Sequence, residues 1–137
     1  MESLRKVLSK LPAWLLSIVT LLVILWLTLA PKPLGDETPM LFPGADKLVH
    51  GIMFGFLGTT MMLDWQRKNR WKLVFPKRVF ICATLSAILG VLIEVAQANM
   101  GLGRGFEYGD IVADTIGAYV FGIVWMILQK NWVNEGT

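Results

Sequence analysis

The sequence predicts an all-α membrane protein: a bundle of four transmembrane helices with little polypeptide outside the bilayer. Of its 137 residues, 55% are hydrophobic and only 17% are charged, which is too apolar for an ordinary soluble domain. Four apolar stretches also reach or approach the roughly 20 residues that cross a membrane core about 30 Å thick. They cover residues 14–30, 48–63, 79–97 and 111–128, and we predict a single domain over residues 1–137.

The first apolar stretch follows three basic residues, an arrangement that also occurs in signal peptides. It is longer than the core of a signal peptide, and it ends in Ala30-Pro31-Lys32 and not in the small-x-small pattern of a cleavage site. We therefore expect this stretch to remain in the protein as a membrane anchor.

The loop between the second and third apolar stretches predicts the orientation. It carries six basic residues and no acidic one: Arg67, Lys68, Arg70, Lys72, Lys77 and Arg78. Because loops on the cytoplasmic side carry such an excess of Lys and Arg, we place this loop in the cytoplasm of a bacterial cell, together with both termini. The loops 31–46 and 98–109, which are poor in positive charge, then face outward. Basic residues beside membrane helices favour contact with anionic lipid, so no nucleic-acid partner is expected.

We expect no cofactor, because the two features that could indicate one have other interpretations. Gly101, Gly103 and Gly105 form a G-x-G-x-G pattern, but no β-strand precedes it, as a dinucleotide fingerprint requires. Cys82 is the only cysteine and fits the role of a small apolar helix residue.

Polar residues gather at the predicted outer ends of the last three helices. The pairs are Asp46 with His50, Glu94 with Gln97, and Asp110 with Asp114. Spacings of three and four residues place each pair on one face of its helix. At about 1.5 Å of rise per residue, the inner members lie roughly 6 Å from the helix ends. Because an ionisable group in lipid is costly, we predict that these residues line a polar cavity open to the outer face of the membrane.

Several titratable groups in one cavity are typical of acid–base chemistry, because neighbouring charges push their pKa values apart. The residues predicted to be catalytic are Glu94, His50, Asp110 and Asp114. Glu94 would be the general acid or base and His50 its partner, with an aspartate as the orienting or second carboxylate. The residues predicted to bind substrate are Asp46, Lys47, Gln97 and Arg104. Arg104 would hold a phosphate or a developing negative charge.

Most of these residues also have a structural interpretation. Asp46 and Asp110 suit N-terminal caps of helices, Lys47 could extend its amine toward water, and His50 could hydrogen-bond between helices. Glu94 is the strongest functional candidate, because glutamine would serve equally well for packing.

A divalent metal site built from His50, Asp46, Glu94 and Asp110 is a further alternative. A single histidine, no usable cysteine and no tight ligand motif argue against it. We therefore expect no metal.

The motifs DKLVH and EVAQ, an arginine in a glycine-rich loop, and D-x-x-x-D-x-x-G ending at Gly117 follow one another between Asp46 and Gly122. In this order they resemble the VanZ-like family of small bacterial membrane proteins, named for a teicoplanin-resistance component. The resemblance implies a small helical bundle in the bacterial cell envelope and a link to glycopeptide resistance, but no settled reaction. Many members carry Asn where this chain has Asp114.

These observations leave three functions open. The first is an enzyme that acts from the outer face of the cytoplasmic membrane on the headgroup of an envelope lipid or lipid-linked saccharide, by hydrolysis or transfer. The second is a non-catalytic protein that binds such a lipid or another membrane protein and is linked to glycopeptide resistance. A proton- or ion-coupled carrier is the weakest, because four short helices leave little room for alternating access. We also expect that the ionisable groups do not continue to the cytoplasmic side.

Overall fold

The structure is a computed structural model that describes residues 2–31, 42–101, 103 and 105–134. Within these residues the protein is all-helical, as predicted. The helices are α1 (Glu2–Ser9), α2 (Leu15–Leu29), α3 (Ala45–Lys68), α4 (Pro76–Asn99) and α5 (Tyr108–Asn134). The last four coincide with the four apolar stretches, whereas the sequence analysis did not predict α1.

Local sequence explains where the two central helices begin. Gly44 precedes α3 with a φ of 83°, a left-handed conformation that glycine adopts without a steric penalty. Pro76 occupies the start of α4, where its fixed φ suits the first helical turn and its missing N–H has no partner to lose. The start of α3 after Gly44 places Asp46 in the first turn of the helix and His50 one turn further along.

Polar contacts between helices show that α3 runs in the opposite direction to α2 and α4. Near the end of α4, the Gln97 amide donates to the carbonyl of Thr28 near the end of α2, at 2.8 Å. The hydroxyl of Ser17, near the start of α2, donates to Asp64 near the end of α3, also at 2.8 Å. We call the end with residues 28, 46–50, 94–97 and 107–114 the acidic end, and the end with the 67–78 loop the basic end.

The closest helix contact lies between α3 and α5, which pack more extensively than any other pair. It is built on glycines: a Cβ at Gly117 would overlap the carbonyl oxygen of Gly51, and one at Gly55 would lie 2.9 Å from the carbonyl oxygen of Gly117. Small residues of this kind let helix backbones approach each other in membrane proteins.

Much of the helix surface is apolar and exposed. Large side chains such as Leu22 on α2, Phe80 on α4 and Ile127 on α5 are each more than half exposed, at 58%, 61% and 62%. By length and composition, Pro76–Asn99 and Tyr108–Asn131 are able to span a membrane, and Leu15–Leu29 is a shorter apolar helix. Continuous apolar surface on helices of this length suggests a membrane protein.

The glycine contact predicts a contrast between two alanine substitutions on the packed helices. Gly117→Ala should destabilise the protein by about 1–3 kcal/mol or more, because the added methyl group meets the backbone of α3, which cannot rotate away. Gly58→Ala should be tolerated, because its Cβ would meet only ordinary contacts, the nearest at 3.7 Å. Thermal unfolding in detergent, followed by circular dichroism, measures both variants. Equal melting temperatures for the two would show that the helices do not approach as described.

Candidate functional site

His50 lies at the centre of a cluster of carboxylates at the acidic end. The residue is 7% exposed. Its Nδ1 lies 3.2 Å from Oδ1 of Asp114, and its Nε2 lies 3.8 Å from Oδ2 of Asp110. The first distance is a hydrogen bond, but the second is too long for one. With Asp114 ionised and His50 neutral, Nδ1 donates this bond, because an ionised carboxylate can only accept, and the lone pair of Nε2 then faces Asp110.

Asp110 and Asp114 both come from the first turns of α5. They are four residues apart, so they share the helix face that meets α3. Asp114 is 1% exposed, and its Oδ2 has no hydrogen-bond partner among the described residues. This oxygen points toward Gly90 on α4, where an added Cβ would lie only 2.6 Å away. Gly90 thus makes room for the buried carboxylate, a role that the sequence analysis missed.

Glu94 completes the cluster from α4. It is 1% exposed; its Oε2 accepts the backbone N–H of Glu107 at 3.2 Å, and its Oε1 lacks a partner in the part of the chain that the structure describes. One ligand atom from each of His50, Glu94 and Asp110 lies within 4.8 Å of the other two. Three helices thus bring one imidazole and three carboxylates together.

Lys47 lies at the exposed rim of this cluster, just before the predicted second span. Its amine is 2.9 Å from Oε2 of Glu107, 3.3 Å from Oδ2 of Asp46 and 3.4 Å from Oδ1 of Asp110. The hydrogen bonds to Glu107 and Asp46 raise the pKa of Lys47 above its usual range. Lys47 is therefore a cation at any physiological pH and binds the outer side of Asp110.

The predicted site residues fall into three groups. The four predicted catalytic residues, His50, Glu94, Asp110 and Asp114, lie together at the acidic end. Asp46 and Lys47 lie at the rim, and Glu107 joins them as a residue that the sequence analysis did not single out; its place three residues before Asp110 was the available signal. Gln97 faces α2 and hydrogen-bonds to Thr28. Arg104 lies outside the described residues. All the assigned roles, catalytic or binding, stay predictions.

A second buried ionic group lies at the basic end, where none was expected. Asp64 forms an ion pair with Arg67, and the two side chains are 0% and 4% exposed. Asp64 also accepts the backbone N–H and the hydroxyl of Ser17, both at 2.8 Å. Arg67 donates to the carbonyls of Leu8 and Leu11, each at 2.9 Å. The expectation that ionisable groups stop short of this end was wrong, although the spacing of Asp64 and Arg67 predicts such a pair.

Further polar contacts at the basic end are equally well satisfied. The amide of Gln129 exchanges two hydrogen bonds with the backbone of Val74, at 2.6 and 2.7 Å, and its oxygen also accepts from Gln66 at 2.9 Å. Two cavities of about 290 and 200 Å³ lie at this end, one against Val74 and the other against Asp64. The polar cavity at the acidic end stays a prediction.

Comparison with known families identifies the chain. Residues 14–129 match the VanZ/LLP1 family. The chain belongs to the VanZ/LLP1 family. The match includes every residue of the acidic cluster and confirms the resemblance found in the sequence. Searches of curated proteins and of solved structures found no match. For this VanZ/LLP1 protein, family membership suggests a membrane protein with a link to glycopeptide resistance.

The two ionic groups of this VanZ/LLP1 protein predict different effects on stability when one carboxylate in each is replaced by an amide. Asp64→Asn leaves Arg67 buried without its counter-charge, and breaking a buried pair in this way costs about 3–5 kcal/mol. Glu94→Gln keeps the size of the side chain and removes a carboxylate that accepts a single hydrogen bond from the described residues, so stability should be unchanged or higher. The measurement is the free energy of unfolding of each variant and of wild type, obtained by chemical denaturation in detergent with a chelator present. A loss of stability in Glu94→Gln as large as that in Asp64→Asn would assign Glu94 a structural role.

Proposed function

We propose that this VanZ/LLP1 protein is a multi-pass protein of the bacterial cytoplasmic membrane that acts on the headgroup of an envelope lipid or lipid-linked saccharide. In this proposal α2 to α5 form a four-span bundle, with both termini and the basic end in the cytoplasm. The acidic end then opens to the outer face of the membrane. The basic residues of the 67–78 loop and the exposed apolar helix surfaces support this arrangement.

One observation carries the proposed activity. Glu94 and Asp114 are each 1% exposed, and each keeps a carboxylate oxygen without a partner among the described residues. Buried polar atoms are normally hydrogen-bonded, and an unsatisfied one costs about 1–3 kcal/mol, or more when charged. Folding alone would favour amides or apolar residues here. Carboxylates held in this state beside a histidine are typical of groups that work on a ligand.

The geometry supports a division of roles for hydrolysis or transfer. With its proton on Nδ1, His50 can accept a proton at Nε2 from water or from an acceptor hydroxyl, and Asp114 stabilises the resulting imidazolium. The nucleophile's oxygen then bonds to phosphorus or carbonyl carbon of the headgroup as the bond to the leaving oxygen breaks. In the form of the protein that reacts, Glu94 has taken up a proton and gives it to that leaving oxygen. Proton transfer from His50 back to Glu94 through water restores both groups.

The activity test compares variants with the same chemical change in different places. Wild type, Glu94→Gln and Glu2→Gln are reconstituted into nanodiscs with extracted bacterial lipids, and the lipids are analysed by mass spectrometry. Glu2 is an exposed carboxylate on α1, far from the acidic end, and serves as the control. Wild type and Glu2→Gln should form product, and Glu94→Gln should lose about 10²–10⁴-fold in rate, the usual contribution of a general acid or base.

Two results would contradict the enzymatic proposal. A folded Glu94→Gln protein that forms product at the wild-type rate would remove Glu94 from the chemistry. A wild-type protein that retains a lipid through purification but never converts it would favour the non-catalytic binder instead.

The proposed orientation predicts how single cysteines react with a membrane-impermeant thiol reagent. In a Cys82→Ala background, Gly103→Cys at the acidic end should react in intact cells. Asn69→Cys at the basic end should react only after the cells are opened. Mass tagging on gels measures both reactions. Reaction of Asn69→Cys in intact cells would reverse the orientation and place the acidic cluster on the cytoplasmic side.

A further inference from the structure

We infer that the acidic end binds one divalent transition-metal ion through His50, Glu94 and Asp110. The ion would occupy the cluster on which the proposed function rests. With the ion bound, Nε2 of His50 and the carboxylate of Glu94 would be its ligands and would not act as the proton acceptor and donor described above. Its binding can be measured whether or not the protein is an enzyme. The inference also replaces the expectation from the sequence that no metal is bound.

The distances within the cluster suit ligands of a single ion. Nitrogen and oxygen ligands lie about 2.0–2.2 Å from zinc, so two ligands on opposite sides of one ion lie roughly 4 Å apart. One atom from each of the three side chains is within 4.8 Å of the others, and all three residues are buried. The separation of 3.8 Å between His50 Nε2 and Asp110 Oδ2 is too long for a hydrogen bond but fits two ligands of one ion.

A second observation points to a ligand at this position. Glu94 is only 1% exposed, and its Oε1 has no hydrogen-bond partner in the described part of the chain. Its other oxygen is held by the backbone N–H of Glu107, which fixes the carboxylate and leaves Oε1 available. Glu94 therefore offers a buried carboxylate oxygen without a partner among the described residues, on a side chain that lies beside His50, and such an oxygen can act as a metal ligand.

The surroundings of His50 also match those of metal-binding histidines. Such a histidine almost always donates its other ring N–H to a carboxylate, a backbone carbonyl or water, which fixes the tautomer and the ring orientation. Here Nδ1 is hydrogen-bonded to Asp114 at 3.2 Å, so Nε2 presents its lone pair to the other ligands. Asp114 therefore acts as a positioning residue and not as a ligand.

Charge at the acidic end favours a divalent cation. Its described residues include five carboxylates: Asp46, Glu94, Glu107, Asp110 and Asp114. Lys47 pairs with three of them from the solvent side, but it reaches neither Glu94 nor Asp114 within ion-pair distance in the described structure. Two positive charges between Glu94 and Asp110 would offset this buried negative charge.

The ligand set indicates which ions fit. One imidazole and two carboxylates suit Zn²⁺ or Mn²⁺, because imidazole favours the former and carboxylate oxygen the latter. Three protein ligands leave at least one coordination position for water or for an oxygen of a headgroup. The ligands come from three separate helices, so no local sequence motif could display the site.

The test is a metal titration with its own readout. Full-length protein, purified in detergent with a tag that contains no histidine, is stripped with a chelator and titrated with Mn²⁺, and free Mn²⁺ is followed by electron paramagnetic resonance. Zn²⁺ is then added as a competitor. We expect one Mn²⁺ per chain, displaced by Zn²⁺. Asp114→Asn should weaken Mn²⁺ binding by about 10–100-fold, the usual effect of replacing a residue that hydrogen-bonds to a metal ligand. Glu94→Gln and Asp110→Asn, which replace ligands themselves, should weaken it more.

Glu107→Gln is the matched control. Its carboxylate belongs to a second, exposed group with Asp46 and Asp110 whose atoms also lie within 4.8 Å of one another. The substitution removes this nearby charge but keeps the backbone N–H that holds Glu94, so Mn²⁺ binding should weaken far less than in Glu94→Gln. Binding lost in Glu107→Gln but kept in Glu94→Gln would place the ion in the exposed group and overturn the inference, as would a folded wild type that binds no ion.

The two proposals fail in different ways. Lipid conversion by chelator-stripped protein that binds no ion would overturn the metal site and leave the proposed function standing. One ion bound per chain, without any lipid conversion, would support the metal site and contradict the proposed enzymatic function.

Discussion

The contact between α3 and α5 at Gly51 and Gly117 determines the geometry of the rest of the molecule. His50 directly precedes the first of these glycines, and Asp114 lies one helical turn before the second. Because the two backbones touch, the imidazole of one helix reaches the carboxylate of the other within a hydrogen bond of 3.2 Å. A methyl group at this crossing would separate the helices and remove the bond that orients His50.

The two ends of the protein treat buried polar groups differently. At the basic end, Asp64 has Arg67 and two donors from Ser17, and Gln129 is held by the backbone of Val74. These groups lock helices and loops together and have the satisfied hydrogen bonding of a structural network. At the acidic end, Glu94 and Asp114 each keep an oxygen without a partner among the described residues. This difference, more than burial itself, is our reason for proposing the acidic end as the functional site.

Much of this arrangement could be predicted from the sequence, because membrane helices have strong local signals. Apolar length indicated α2 to α5, and the spacing of Asp46 with His50 and of Asp110 with Asp114 placed both pairs on single faces. The charge-poor loops assigned them to the same end, so the meeting of His50, Glu94 and Asp114 followed from topology alone. α1 was missed because eight residues with few apolar side chains have no membrane signal.

The missing parts depend on distances that no local pattern contains. Gly90 reads as one more small residue, and only the packed helices show that it faces the carboxylate of Asp114. The orientation of Gln97 toward α2, and not toward Glu94, depends on how far α4 rotates against its neighbours. Lys47 could equally have extended into solvent, and its three carboxylate partners come from α3, from α5 and from the segment before α5.

The central claim is that the carboxylates at the acidic end are retained for their chemistry and not for the fold. A variant with Glu94→Gln, Asp110→Asn and Asp114→Asn together tests it most directly, because it removes three buried negative charges with almost no change in shape. The measurement is the unfolding free energy in detergent with a chelator present. The account predicts a stability equal to or above that of wild type, since mutual repulsion among the carboxylates is removed. A variant that unfolds, or that loses several kcal/mol as a broken buried ion pair does, would contradict it.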